Sequence, residues 1–219
     1  PGLGMTYSAD ATFTVDQAYR ARTANCLTFT LLTVALARDS GLQAYGQELD
    51  DIVAWRVDDN LIYGFNHVNA GISIGRSRFA VDVAQDQVMA RDLPKPISDQ
   101  RLLALYYSNR AAELLAGASP AAAAPYMAMA LQLAPRYAGA WANAGVLHLR
   151  QGDPRAAERD YLKALALDPA NASALVNLVT LYRANGDEAR RAIYARRIEE
   201  IQVKDPYFQF LQAEGEEEQ

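Results

Sequence analysis

Residues Ala140–Pro169 read "AWANAGVLHLRQGDPRAAERDYLKALALDP", and their last six residues decide how the second half of the chain folds. That ending, "ALALDP" (Ala164–Pro169), repeats "ALQLAP" (Ala130–Pro135) at an interval of 34 residues. A period of this length marks a stacked helix–turn–helix unit, because one such unit cannot bury its apolar face alone. The residue types agree. Ala111, Gly145 and Ala157 are small enough for neighbouring helices to approach closely, while Trp141 and Tyr161 fill the space between them. "QGDP" (Gln151–Pro154) and "NGD" (Asn185–Asp187) suit short turns between paired helices.

Trp141, Gly145, Gly152, Ala157, Tyr161, Ala164 and Pro169 resemble the tetratricopeptide repeat. With Trp141 at the fourth position the repeat covers 138–171, flanked by copies at 104–137 and 172–205. The earlier copy carries Tyr107, Ala111, Leu114, Ala130 and Pro135 at equivalent places. The later one carries Leu175, Leu178, Tyr182 and Gly186, then departs from the pattern, with a second helix running to about Val203. An all-α solenoid of three repeats is expected over 98–212, closed by "DPYFQF" and followed by an acidic tail, 213–219. Asn109, Asn143 and Asn177 recur at the same interval. In proteins of this family such an asparagine faces the concave groove and holds a peptide backbone; alternatively it only follows the repeat consensus. The first reading implies exposed amides and a protein or peptide partner in the groove.

About half of the 219 residues are apolar and about a fifth charged, the balance of an ordinary globular chain. The net charge of −5, with no basic stripe, argues against a nucleic-acid partner. No apolar run reaches the ~18 residues needed to span a bilayer. A metal-ligand cluster and a phosphate-binding glycine loop are both missing from the sequence, so no cofactor is expected. The chain opens at Pro1 without an initiator methionine, as expected of a chain trimmed of a leading segment. A single cysteine, Cys26, forbids an internal disulfide and leaves the redox compartment open.

The first 97 residues show no 34-residue period. "TVDQAYRAR" (Thr14–Arg22) reads as a short helix with Asp16 near its start. Leu27, Phe29, Leu31, Leu32, Val34 and Leu36 surround the next helix almost completely, so that helix is expected to be buried on most sides. Asn25 is a good N-cap, which puts Cys26 in the first turn, where free backbone N–H groups favour a thiolate. "DSG" (Asp39–Gly41) ends the helix. Two strands follow. In "NHVNAGISI" Val68, Ala70, Ile72 and Ile74 share one face, and His67, Asn69, Gly71 and Ser73 the other. In "SRFAVDV" Phe79, Val81 and Val83 oppose Arg78, Ala80 and Asp82. A two-residue turn at Gly75-Arg76 sets Ile74 against Ser77 and aligns both apolar rows. His67 and Asp82 then share the opposite face as diagonal neighbours, within hydrogen-bond reach. Of the two histidines, His148 falls on an inward-facing position of the middle repeat, where packing explains it. His67 needs another account. A thiol needs a base to become a strong nucleophile at neutral pH, and the base needs an orienting partner. Cys26, His67 and Asp82 offer these three roles. Gln17 and Asn25 are candidate side-chain donors to an oxyanion, beside the Cys26 backbone N–H. Tyr45 and Trp55 could line a cleft or simply pack.

"ATFTVDQAYRARTANCLTFTLLTVALARDSGLQA", with "NHVNAGISI" and "FAVDV", resembles the transglutaminase-like branch of the papain-like cysteine protease superfamily. The order and the spacings, 41 residues from Cys26 to His67 and 15 more to Asp82, are similar to that family's. More narrowly the chain resembles bacterial, often exported proteins that join such a domain to tetratricopeptide repeats. The resemblance implies a papain-like α+β domain over 1–97, with the cysteine on a helix packed against an antiparallel sheet. It also implies a bacterial periplasmic or envelope location, with cytoplasmic as the alternative. Members include peptidases, amidases, cross-linking enzymes and inactive relatives. Many carry an aromatic residue beside the histidine, where this sequence has "HVNA". Two functions follow as expectations: a Cys-His-Asp acyl-transfer enzyme (peptidase, amidase or transglutaminase-like) with a protein-binding module, or a non-catalytic interaction scaffold.

Overall fold

The computed structural model describes residues 4–58, 61–83 and 94–204, with side chains at all of these except 50–58, 61–66 and 202–204. The expected closing segment, the acidic tail and the side chain of Trp55 lie outside the described residues. Two compact units form: one holds residues through Trp55 and Gly64–Arg136, the other Arg56–Tyr63 and residues from Tyr137 on.

The first unit begins with β1 (Thr6–Tyr7), α1 (Val15–Ala21), β2 (Thr23–Ala24) and α2 (Cys26–Asp39). There follow β3 (Gln43–Asp58), β4 (Leu61–Ile74), β5 (Ser77–Val81) and β6 (Lys95–Ile97). β1 and β2 pair in parallel, and the other four strands form a sheet of order β5-β4-β3-β6. The β4–β5 register is the one the sequence predicts, with Ile74 opposite Ser77 and Ala70 opposite Val81. Gly75 takes a φ of 61° at the first turn position, the left-handed conformation that a two-residue turn beginning with glycine requires. The apolar row of this hairpin packs with α2: Val34, Ala37, Ala44 and Ala70 are buried together, with Ile72 and Val81 against them. Near the turn the row runs out of cover, and Ile74 and Phe79 are half exposed. β3 and β6, which the sequence pattern does not announce, complete the sheet. Tyr45 lies flat on Gly71, where a Cβ would overlap its ring, so Tyr45 is a packing residue.

α2 is buried through Val34 and then opens, with Leu36 41% exposed, so the expected burial on most sides holds only for its first part. In that first part the polar residues are satisfied internally. Thr28 and Thr30, both fully buried, bond backbone rather than solvent: Thr28 Oγ1 donates to Ala11 O and Thr30 Oγ1 to Cys26 O and Val68 O. Two further helices, α3 (Asp99–Ala116) and α4 (Pro120–Leu133), belong to this unit. Arg101 holds the buried Glu48 of β3 through both carboxylate oxygens, Arg38 of α2 forks onto Asp99, and Glu113 accepts from the Thr12 amide. Leu102 fills the space beside Gly46. The sequence boundary at 97/98 therefore differs from the structural one at 136/137: the first helical pair is anchored in the first unit by these bonds.

The second unit contains α5 (Ala138–Arg150), α6 (Pro154–Leu167), α7 (Ala172–Ala184) and α8 (Glu188–Lys204). Gly145 lies against Tyr161, whose ring a Cβ would overlap, as the spacing of small and aromatic residues predicts. The turns repeat with the sequence. After α5, Gly152 takes φ 83°, its N–H reaches Leu149 O, and Asp153 N–H reaches His148 O. After α7, Gly186, Arg183, Asp187 and Tyr182 make the same pair of bonds. After α3 the pattern recurs with Ala118 at φ 56°, an alanine in a conformation that favours glycine. Across α6, α7 and α8, Glu158 accepts from the Tyr182 hydroxyl and from Arg190.

Two expectations are corrected here. Asn109, Asn143 and Asn177 are only 7%, 0% and 0% exposed, so their amides are enclosed by helix packing rather than displayed on a groove wall. His148 does more than pack: its Nδ1 meets Asp160 Oδ2 at 2.5 Å, bridging α5 and α6. Burial raises the Asp160 carboxyl above its ordinary value, and the His148 hydrogen bond opposes that shift.

Three substitutions test this packing by thermal denaturation. Ala118→Gly relieves the left-handed strain and should stabilise by about 1 kcal/mol. Gly145→Ala forces Tyr161 aside and should destabilise by about 1–3 kcal/mol. Asn177→Ala should cost about 1–3 kcal/mol, where an exposed groove amide would cost almost nothing.

Candidate active site

The site is assembled where the start of α2 meets β4. Asn25 caps α2, with its Oδ1 accepting from the Thr28 amide at 2.8 Å and its Nδ2 donating to Thr12 Oγ1 at 2.8 Å. Cys26 is the first helical residue and is partly exposed. Thr30, one turn on, bridges the Cys26 carbonyl and the carbonyl of Val68, at 2.8 and 3.3 Å. The first turn of α2 is thereby fixed beside the residue that follows His67.

His67 is 8% exposed, and its Nε2 meets Asp82 Oδ2 at 2.6 Å. Asp82 directly follows β5, and the register that pairs Ala70 with Val81 carries it to the strand position diagonal to His67. The His67 ring also interacts electrostatically with Cys26. Burial lowers the imidazole's proton affinity, but the Asp82 hydrogen bond and the interaction with Cys26 outweigh it and raise the pKa to about 9. The ring therefore carries a proton at neutral pH.

The other candidates are placed differently. Gln17 closes the capping box of α1: its Oε1 accepts from the Thr14 amide at 3.0 Å while its own amide reaches Thr14 Oγ1. Asn25 is likewise occupied by its cap and by Thr12, and is 4% exposed. Both side chains hold helix starts. Asn109, Asn143 and Asn177 lie in α3, α5 and α7 and take no part in the site.

One neighbour has no signature in the sequence. Tyr7 pairs with Ala24 in the parallel β1–β2 ladder, and Ser8 N–H donates to Ala24 O at 3.1 Å, two residues before Cys26. The phenol is about half exposed and feels the charges of Cys26 and Asp82. Burial first, and those two neighbours second, raise its pKa above the ordinary value, so it stays a neutral donor.

His67 gives the site a pH signature. Its folded value of about 9 lies above the ~6.5 of an unfolded histidine, so its contribution to stability is complete below about pH 6.5. That contribution is lost as pH rises through about 9. Melting temperatures measured from pH 6 to pH 10 should fall more steeply for the wild type than for His67→Gln. Parallel curves would contradict the coupling.

The tetratricopeptide repeat family matches residues 138–171, the middle repeat of the sequence reading. No curated protein matches the chain. Among the described residues no helix is long and apolar enough to cross a membrane. The family match marks the second unit as carrying a protein-interaction module.

Proposed function

We propose that the chain is a thiol acyl-transfer enzyme in which a papain-like, transglutaminase-like domain is joined to repeats that hold a protein partner or substrate. The observation that carries this reading is the buried His67 ring, bonded through Nε2 to Asp82 and interacting electrostatically with the partly exposed Cys26 at the start of α2. In the proposed reaction His67 already holds the proton, and Sγ attacks an amide or peptide carbonyl carbon as the thiolate. The carbonyl π pair moves onto oxygen, then returns to expel the amine, which takes its proton from His67. A thioester to Cys26 remains. Water releases an acid and an amine releases a new amide, and His67 accepts the incoming nucleophile's proton in either case. Hydrolysis is the favoured outcome, because the sequence shows nothing dedicated to excluding water. Asp82 orients the ring and supports its positive charge. Three repeats over 98–212 would present the substrate or dock a partner protein, in line with the family match at 138–171.

The alternative is a scaffold that keeps this domain only for packing or recognition, a reading that draws on the repeat match alone. Alkylation of Cys26 by iodoacetamide, followed by intact mass from pH 5 to pH 9, separates the two. An activated cysteine should label at pH 6, where an isolated thiol of pKa about 8.5 is mostly protonated. His67→Ala should slow that labelling by tenfold or more, and Asp82→Asn should slow it less. Cys26→Ala should abolish it with little loss of stability. Labelling that appears only above pH 8, and that ignores the loss of His67, would favour the scaffold.

A further inference from the structure

Acyl transfer needs two hydrogen-bond donors where the carbonyl oxygen gathers charge, and the first is available as the backbone N–H of Cys26 at the free start of α2. Neither of the two amide side chains nearest in sequence is spare. Asn25 caps α2 and binds Thr12, and Gln17 closes the capping box of α1. The strand pair at the N-terminus supplies a third group. Thr6 and Tyr7 are held along Thr23 and Ala24 by three bonds: Thr6 N–H and Thr6 Oγ1–H to Arg22 O, and Ser8 N–H to Ala24 O. Arg22 accepts these from a left-handed backbone, φ 54°, which an arginine adopts only when the surroundings enforce it. This places Tyr7 abreast of Ala24, two residues before Cys26, with its ring about half exposed. Partners in a parallel ladder project to the same side, so Tyr7 shares the side of the buried Ala24.

We propose that Tyr7 is the second oxyanion donor of the site, its phenolic O–H turning to the carbonyl oxygen of a substrate bound at Cys26. The assignment rests on the acyl-transfer reading above. When Sγ bonds to the carbonyl carbon, the C=O π pair moves to oxygen, and that oxygen accepts from Cys26 N–H and from Tyr7 Oη–H. Tyr7 keeps its proton throughout. The π bond reforms as the leaving group departs with the C–O or C–N pair, and the donors are released. A phenol suits this place because it stays neutral there: burial first, and Cys26 and Asp82 second, raise its pKa above the ordinary value.

Two probes that use the same sulfur distinguish this role from a structural one. Iodoacetamide reacts by displacement at a saturated carbon and forms no oxyanion, whereas p-nitrophenyl acetate acylates through a tetrahedral one. Using the full chain, Tyr7→Phe should slow Cys26 acylation by p-nitrophenyl acetate about 10- to 1,000-fold, the range for losing one such donor. Its rate of alkylation by iodoacetamide should remain within about twofold of wild type. Equal slowing of both reactions, or of neither, overturns the assignment of Tyr7 while leaving the acyl-transfer reading in place. A wild-type chain with no Cys26-dependent acylation and no alkylation at pH 6 overturns both. Tyr7→Trp, which keeps an aromatic ring with an N–H donor, should recover acylation better than Tyr7→Phe if the donor rather than the ring is what matters; equal rates would overturn the assignment.

Discussion

The site depends on a strand register. Ile74 opposite Ser77, across a two-residue turn with Gly75 at φ 61°, carries His67 and Asp82 onto one face at bonding distance. A slip of one residue would invert every side chain of β5 and send Asp82 to the opposite face. The register is not set by the turn alone. Ala70, Ile72 and Val81 must reach Val34 and Ala37 of α2, and only this pairing puts both apolar rows on that side. Burial of the hydrophobic rows and formation of the His67–Asp82 bond are thus one geometric requirement.

The helix that bears Cys26 is located just as firmly, by polar rather than apolar contacts. Thr28 and Thr30 are fully buried, yet each gives its hydroxyl to backbone carbonyls, so burying them leaves no unpaired donor. Asn25 ties the start of α2 to Thr12, and the Thr12 amide is held by Glu113 of α3. The first helical pair of the repeat region therefore braces the segment in front of the cysteine. An imidazole bonded to a carboxylate and interacting with a nearby cysteine then has its protonated form favoured by both, which outweighs the cost of burying the charge.

Legibility in the sequence followed the strength of the local signal. The 34-residue period was readable because each repeat must present the same small and aromatic residues to its neighbours, and Gly145 against Tyr161 is that requirement in atoms. The N-cap at Asn25 and the β4–β5 register were readable for a similar reason: each is a short-range rule with few alternatives. β3 was not. Gly46 near its start and its buried Glu48 break any alternation, and they make sense only beside Leu102 and Arg101, far along the chain. The asparagines at 109, 143 and 177 follow the repeat in sequence, but their exposure depends on how closely the helices pack, which periodicity does not state. Tyr7 and the His148–Asp160 bridge are likewise tertiary facts. Ala118 occupies the left-handed position filled by Gly152 and Gly186, so the turn forms there against residue preference, through the two carbonyl bonds it shares with the others.

The central claim is that His67 is held protonated by Asp82 and Cys26 together. Two-bond ¹H–¹⁵N correlation spectra of the histidine rings, recorded across pH and assigned with His67→Gln, measure this directly. The account predicts a His67 ring that is still protonated at pH 8 and loses its proton at about pH 9, with Asp82→Asn moving that titration to lower pH. A His67 ring already neutral at pH 8 in the wild type, with a titration that Asp82→Asn leaves unchanged, would contradict it.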